Sequence, residues 1–589
     1  MTLLPQWLHN WLGLHYSEKR IPFPITLPLV KSTPAPVLNT LYQLQKHRST
    51  QADDEQFLAL LLKNLKQLNR HKTSVTRRAQ YNHRFTGLFY PLAVVLAGQF
   101  SKDGGVPDSQ RRAQLLDCMI AICAELVNSY GLIIEHCQQS SGFRYVRSLK
   151  KLDQAAFRLL ELLKFKQTIK ALRYQELSAK SWRMANSLVH ILAANQRLYI
   201  VQKTLDQQYR SDQPMAMGRA VDVYLALQMV ERLQLSYWPV QWQTWLIRSI
   251  GLGDLKIGLS QNANDVVSTQ TSLVYCADTV PSRFANTQQT GQIAPLILEW
   301  DQLQQIMISD LAQVIRSRRN GGGVSLSKHL SLFGRDEQLA IAQLQFQCFR
   351  DYPFRDSISI DQKREVPDLR IFIGFNEIFA LLRHIDSGGG WKGIGRRMSD
   401  LLAKHSAVFS DDAAGSIESA WFLRHQDDNM ICLSTLESRH TSEMHIGDLT
   451  AYMLEQSDWH QPRLGVIERI LRPQSGQVYV EIQLISQHST SVAIEVPDET
   501  LMNNQSDVRA GDKELIRAIR GISDNAIHMI LPRGVSVPDN RNLIIHAKKG
   551  LENAQLGHIV SASKGCSVYA LRPSIDKETT PLRVNSVVA

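Results

Sequence analysis

Cysteine is scarce in this 589-residue chain, and the little there is forms no pattern. The seven residues (Cys118, Cys123, Cys137, Cys276, Cys348, Cys432 and Cys566) are odd in number and include no C-x-x-C. That excludes a zinc ribbon and argues against a disulfide framework, so a reducing, cytoplasmic setting is the expectation. Long hydrophobic runs are also missing. The longest, Gly87 to Gly98, holds about a dozen residues, against the roughly 20 that cross a bilayer, and no membrane span is expected. The first residues, MTLLPQWLHNWLGLHYSEKR, have no cationic stretch ahead of their apolar ones. They read as a docking helix rather than an export signal.

Enzyme signatures are absent as well. There is no G-x-x-x-x-G-K-[ST] loop, no H-E-x-x-H helix and no G-x-S-x-G elbow. The glycine- and cation-rich Gly388 to Arg397 follows no strand of a βαβ unit and reads as a linker. His440 and His445 are spaced for neither a helix face nor one side of a strand. No catalytic residue, metal ligand or cofactor is expected, and the chain reads as a non-enzyme.

One stretch lacks a charge sign altogether. Between Glu55 and Asp103 there is no acid, but there are Lys63, Lys66, Arg70, Lys72, Arg77, Arg78, Arg84 and Lys102. The whole chain carries 66 Lys and Arg against 55 Asp and Glu, a formal charge of +11. Such a balance favours anionic partners. With Tyr81, His83 and Phe85 interleaved, the segment 63–84 suits phosphate contact plus base stacking, hence a nucleic-acid-binding reading. A solvated basic face, or one paired with acids elsewhere, accounts for the same residues.

What the chain does have is a change of period. From Glu55 to Ile250 the apolar residues recur at helical spacing, as in Phe57, Leu60, Leu61 and Leu65, or Phe157, Leu160 and Leu163. A bundle of about six to eight helices is expected over 55–250, after a proline-rich arm over 1–54. Residues 251–400 are mixed, with the strand LRIFIGF running into the helix NEIFALLRHI. From there the period falls to two, as in Val478, Val480, Ile482 and Leu484. Antiparallel strands are expected over 401–500, and a second antiparallel subdomain over 501–573, ahead of a disordered tail at 574–589. Asp448 and Gly476 fall where turns are needed. The fold class is multidomain α + β with antiparallel β-barrels at the C-terminus.

The wording of the strands carries a resemblance. A Trp-led strand from Trp421, then IGDL, LGVIERI and VYVEIQLIS, resembles the PilZ-type barrel of bacterial cyclic di-GMP receptors. AKSWRMANSLVHILAANQ (179–196) and the block 219–250 resemble the helical half of large proteobacterial proteins with an atypical PilZ barrel. The resemblance implies a regulatory or scaffold protein that senses cyclic di-GMP or docks a protein partner. In it, arginines grip phosphates and guanine edges and reorient the helical half through a hinge near Gly388 to Arg397.

A PilZ site pairs an R-x-x-x-R segment with a D/N-x-S-x-x-G strand. No R-x-x-x-R immediately precedes Trp421. The substitutes are Arg364, Arg370, Arg396 and Arg397. The second motif falls on His425 to Met430, with Asp427 and Met430 at the small positions. His425 and Asp427 complete the candidate ligand set, and an Asp facing a dianion is expected to weaken binding. The reading from another class is nucleic-acid binding through Lys63, Lys66, Arg70, Lys72, Arg77, Arg78 and Arg84.

Overall fold

A computed structural model describes residues 23–25, most of 53–243, stretches between 257 and 346, and from 369 onward the helix and strands up to 573. The N-terminal docking helix, the glycine-rich 388–397 linker, Gly476 and the tail lie outside the described residues. The chain divides into two compact units, 1–356 with 471–475, and 357–470 with 476–589.

The first unit is built on helices α1 (Asp54–Arg70), α2 (Val75–Lys102), α3 (Ser109–Gln139), α4 (Phe143–Ala171) and α5 (Ala179–Ala194). Each helix obeys its apolar spacing. On α1, Phe57, Leu58, Leu61, Leu65 and Leu68 are buried, while Asp53, Asp54 and Glu55 sit at the N-terminal end and Arg70 in the last turn, complementing the helix dipole. A short excursion follows: β1 (Val201–Lys203), α6 (Leu205–Tyr209) and β2 (Met217–Arg219), with β1 and β2 antiparallel, then α7 (Ala220–Arg232). Strands β3 (Gly258–Ser260), β4 (Thr271–Val274), β5 (Arg283–Phe284) and β6 (Leu296–Glu299) form an antiparallel sheet in the order β3-β6-β4-β5, ahead of α8 (Asp301–Asn320).

Helix α3 bears on the expectation that no membrane span is present. Its window Ala113–Gln139 is long and apolar enough to cross a membrane, although counting uninterrupted apolar runs passed over it. It is a core helix, 61% buried, with Met119, Ile122, Cys123, Leu126 and Ile134 almost wholly covered.

The second unit holds β7 (Leu369–Ile373), α9 (Phe375–Asp386), β8 (Phe422–Gln426), β9 (Met430–Leu436), β10 (Leu449–Leu454), β11 (Arg463–Leu471), β12 (Gln477–Ser486), β13 (His488–Glu495), β14 (Leu515–Ser523), β15 (Ala526–Pro532), β16 (Asn542–Ala547), β17 (Gly550–Ala562) and β18 (Cys566–Pro573). The described strand pairings are antiparallel, as the period of two implies. One sheet is open, with order β7-β10-β11-β12-β9-β8, and the other is a closed barrel, β13-β14-β15-β18-β17-β16.

The division between them differs from the expected one near residue 500. TSVAIEV, read as the last strand of the first β domain, is β13 and pairs with β14 and β16 of the closed barrel. The chain changes sheets at a corner knotted by Ser486. Its hydroxyl donates to the carbonyl of His488 at 2.6 Å and accepts from the N–H of Ile522 at 2.9 Å. Gly521 makes the approach possible, since a Cβ there would lie 2.9 Å from that of Ser486.

Helix α9 serves both sheets. Gly374, with φ of +97°, turns β7 into the helix, a conformation a side chain would resist. Phe375, Ile378, Leu381 and Leu382 then pack against Leu449, Ala451 and Leu464 of the open sheet and Ile519, Ile530 and Val568 of the barrel. At its end, the Asp386 carboxylate accepts from the Ser491 N–H at 2.9 Å and hydroxyl at 2.8 Å. The barrel interior is filled by side chains, among them Ile494, Met529, Leu531, Ile545, Leu556 and Tyr569, as a barrel this small requires.

Candidate functional site

Of the arginines named from sequence, Arg364, Arg396 and Arg397 lie outside the described residues. Arg370 is in β7, where its backbone is paired with Met453 of β10. His425 is in β8, with Asp427 just beyond it. Strands β7 and β8 are the two edges of the open sheet, five strand spacings apart, or about 24 Å along it at ~4.8 Å each. Strand pairing therefore does not bring Arg370 to His425.

Asp427 has a local task. Its Oδ1 accepts from the N–H groups of Asn429 at 2.9 Å and Met430 at 2.7 Å, and its own N–H donates to the Met430 carbonyl at 2.9 Å. It closes the β8–β9 turn, the ordinary use of an Asp in a hairpin. His425 Nε2 stands 3.8 Å from Asp427 Oδ2, both side chains about half exposed (52% and 49%).

The sequence reading passed over Arg424, next to His425. The β8–β9 register slips between Leu423 and His425, and such a bulge re-aims the side chain it frees. Arg424 Nε donates to Ser434 Oγ at 2.6 Å, and the guanidinium lies 5.6 Å from the Phe422 ring. Its two terminal nitrogens bond to no described residue. Alternation hid it, because the bulge breaks the period by which strand faces are assigned. The cue was an arginine directly before an already chosen histidine.

Behind this edge lie Cys432, Glu481 and Arg469. Arg469 Nη1 is 3.6 Å from Glu481 Oε1, both nearly buried. Burial first, then Glu481, pushes the Cys432 thiol up to about 12, with Arg469 and Arg424 pulling the other way. A thiol held protonated in this way is no nucleophile. The edge thus offers a pre-aimed guanidinium, a half-exposed imidazole and an aromatic face, the groups that hold phosphates and guanine edges.

A second D-x-S/T-x-x pattern lies on β10, at Asp448, Thr450 and Met453. Asp448 Oδ2 accepts from the His445 N–H at 2.7 Å, and Thr450 donates to the Gly465 carbonyl at 3.0 Å. Both side chains hold β10 in place, Asp448 at the turn foreseen for it.

In the helical unit the basic segment separates into two kinds of residue. Lys63, Lys66, Arg70, Lys72, Arg77 and Arg84 are exposed. Arg78 is not: it is 4% exposed, which corrects its place among the ligand-facing cations. Its Nη2 donates to the His71 carbonyl at 2.8 Å, and Nη1 reaches Asn69 Oδ1 at 3.3 Å and Ser129 Oγ at 3.4 Å. Burial lowers its pKa to about 10, so it stays charged at pH 7. Two of the three expected stacking residues are also engaged. Phe85 is fully buried, and His83 Nδ1 lies 2.7 Å from the Tyr209 hydroxyl.

Residues 47–211 match the family model for the N-terminal domain of the cyclic-di-GMP receptor FimW. Over that stretch the chain resembles a cyclic-di-GMP receptor. The matched residues take in α1 to α6 and none of the strands from 369 to 573, so the PilZ resemblance there rests on those strands alone. No curated protein and no solved structure matches the chain. Among the described residues no cluster of His, Cys, Asp and Glu could hold a metal ion.

Proposed function

We propose that this chain is a non-enzymatic regulatory receptor for cyclic di-GMP, working in the cytoplasm, with its ligand contact on the β8 edge of the open sheet. The observation that carries the reading is the family match over residues 47–211. The position of Arg424 supports the choice of edge. One Nε bond and a ring contact hold its plane, leaving the terminal nitrogens for a guanine edge or a phosphate, where a bidentate contact is worth about 1–3 kcal/mol. His425 adds a second polar contact, and Asp427 shapes the turn beside it. Arg364, Arg396 and Arg397 remain candidates for further arginine contacts, whereas Arg370, on the opposite edge strand of the sheet, does not. A protein partner would read the ligand-bound state only if cyclic di-GMP binds two arrangements of the chain with different affinity.

Calorimetric titration of the full chain with cyclic di-GMP, with cyclic di-AMP and GMP as controls, tests the proposal. Saturable, guanine-selective binding is expected, weakened about tenfold or more by Arg424→Ala. Absence of binding at tens of micromolar ligand would end the receptor reading. Binding that Arg424→Ala leaves unchanged would move the site away from this edge.

A further inference from the structure

We propose that the corner between α1 and α2 is a docking face for the phosphodiester backbone of a nucleic acid. The inference is independent of the receptor reading and rests on how the structure sorts one acid-free stretch. From 56 to 102 the chain has no Asp or Glu. Of the seven cations between 63 and 84, six are exposed, and none of the six forms an ion pair with a described residue.

Their placement is regular. Lys63, Lys66 and Arg70 are spaced i, i+3, i+7 and share one side of α1, opposite the buried Leu58, Leu61, Leu65 and Leu68. Arg77 and Arg84 repeat the seven-residue spacing on α2, and Lys72 lies in the turn between the helices. Each pair seven apart spans about 10 Å of helix. A further cation joins them, since Lys151 Nζ donates to Thr76 Oγ1 at 2.9 Å. Arg78, bonded to Leu68, Asn69, His71 and Ser129, fixes the turn, so both stripes project from a rigid elbow. One acid that touches the corner is Glu125, whose Oε2 accepts from Asn69 at 2.7 Å.

The surroundings decide between kinds of polyanion. A helix that lies in a membrane surface needs exposed apolar side chains beside its cations. Among the described residues no large hydrophobic is exposed before Val95. An acidic protein would need an aromatic or aliphatic anchor point, and Phe85 is buried while Tyr81 is largely covered. Charge without apolar area fits sequence-independent contact with a sugar–phosphate backbone.

Fluorescence anisotropy of the full chain with a labelled duplex DNA of about 30 base pairs, between 50 and about 300 mM NaCl, tests the inference. The logarithm of affinity should fall with that of salt with a slope of about −3 to −5. K63Q/K66Q/R70Q should make the slope shallower by about two to three, and weaken binding at least ~tenfold at low salt. R77Q/R84Q should act in the same direction and carries the test if the triple variant unfolds. Helical circular dichroism should not change in either, because all five side chains are exposed. The inference falls if the duplex does not bind at 50 mM salt. It also falls if both variants keep the slope, or if phosphatidylserine vesicles bind and the duplex does not.

Discussion

Arg78 in the helical unit and Arg424 in the sheet unit are the same side chain in opposite employment. Arg78 is buried against three backbone or amide oxygens and two hydroxyls around a helix corner. Arg424 meets one hydroxyl and one ring, at a bulge on an edge strand. The helical unit draws its polar residues inward as braces. Tyr224, Asn186 and Gln228 are linked and tied to the Pro281 carbonyl, and Glu161 Oε1 accepts from the first N–H of α6 at 2.9 Å. The open sheet leaves polar groups at its edge, because a terminal strand lacks a neighbour to take them up. An arginine's role is therefore set by how many acceptors surround it, which a motif written in letters does not record.

The comparison breaks most readily at Arg78. Arg78→Met should destabilise the helical unit by about 3–5 kcal/mol, since it strands several buried acceptors at once. Urea unfolding followed at 222 nm checks this, and a loss below about 1 kcal/mol would mean that the corner is not braced.

Glu161 sharpens the same side. Burial raises its pKa from 4.5 to about 7, outweighing Arg158 and the Leu205 N–H, which lower it. The folded state thus binds the proton more tightly than the unfolded one. This contribution is fully present below pH 4.5 and is lost as pH rises through about 7. It amounts to at most about 3–4 kcal/mol at ~1.4 kcal/mol per pKa unit. Urea midpoints should fall between pH 5 and 8 in the parent protein, and Glu161→Gln should flatten that dependence.

In the sheet unit, Gly465→Ala should cost about 1–3 kcal/mol. A Cβ there collides with Ile482 and comes to 2.5 Å from the Gln483 carbonyl oxygen. Thermal unfolding of the β signal measures it, and an unchanged midpoint would show that β11 and β12 can part. The smallest effect on stability belongs to Arg424→Ala, at about 0.5 kcal/mol or less, alongside its loss of ligand affinity. An Arg424 variant as unstable as the Arg78 one would erase the contrast.

Much of the fold was legible in the letters. The apolar spacing on α1 and α4 foretold their buried faces, and the alternation in VYVEIQLIS foretold a strand, because burial of one face imposes the period of the element. LRIFIGF running into NEIFALLRHI likewise foretold β7 and α9. The candidate site was less legible. His425 was chosen for its place in a motif, while Arg424 beside it was hidden by a bulge. Asp427, read as an obstacle to a ligand, also caps a turn.

By itself, then, the sequence determined most of the elements (the β1–β2 pair within the helical stretch excepted), the antiparallel character of the C-terminal half and the acid-free basic stretch, since these depend on neighbours a few residues away. Only the tertiary structure decided that β13 leaves one sheet for a closed barrel, that Arg78 turns inward while six other cations face water, and that Arg424 keeps its terminal nitrogens unbonded to described residues. Those outcomes depend on which acceptors and which strand edges arrive from distant parts of the chain. Ser129 reaches Arg78 from 51 residues away, and Ile522 reaches Ser486 from 36. No local period encodes such meetings.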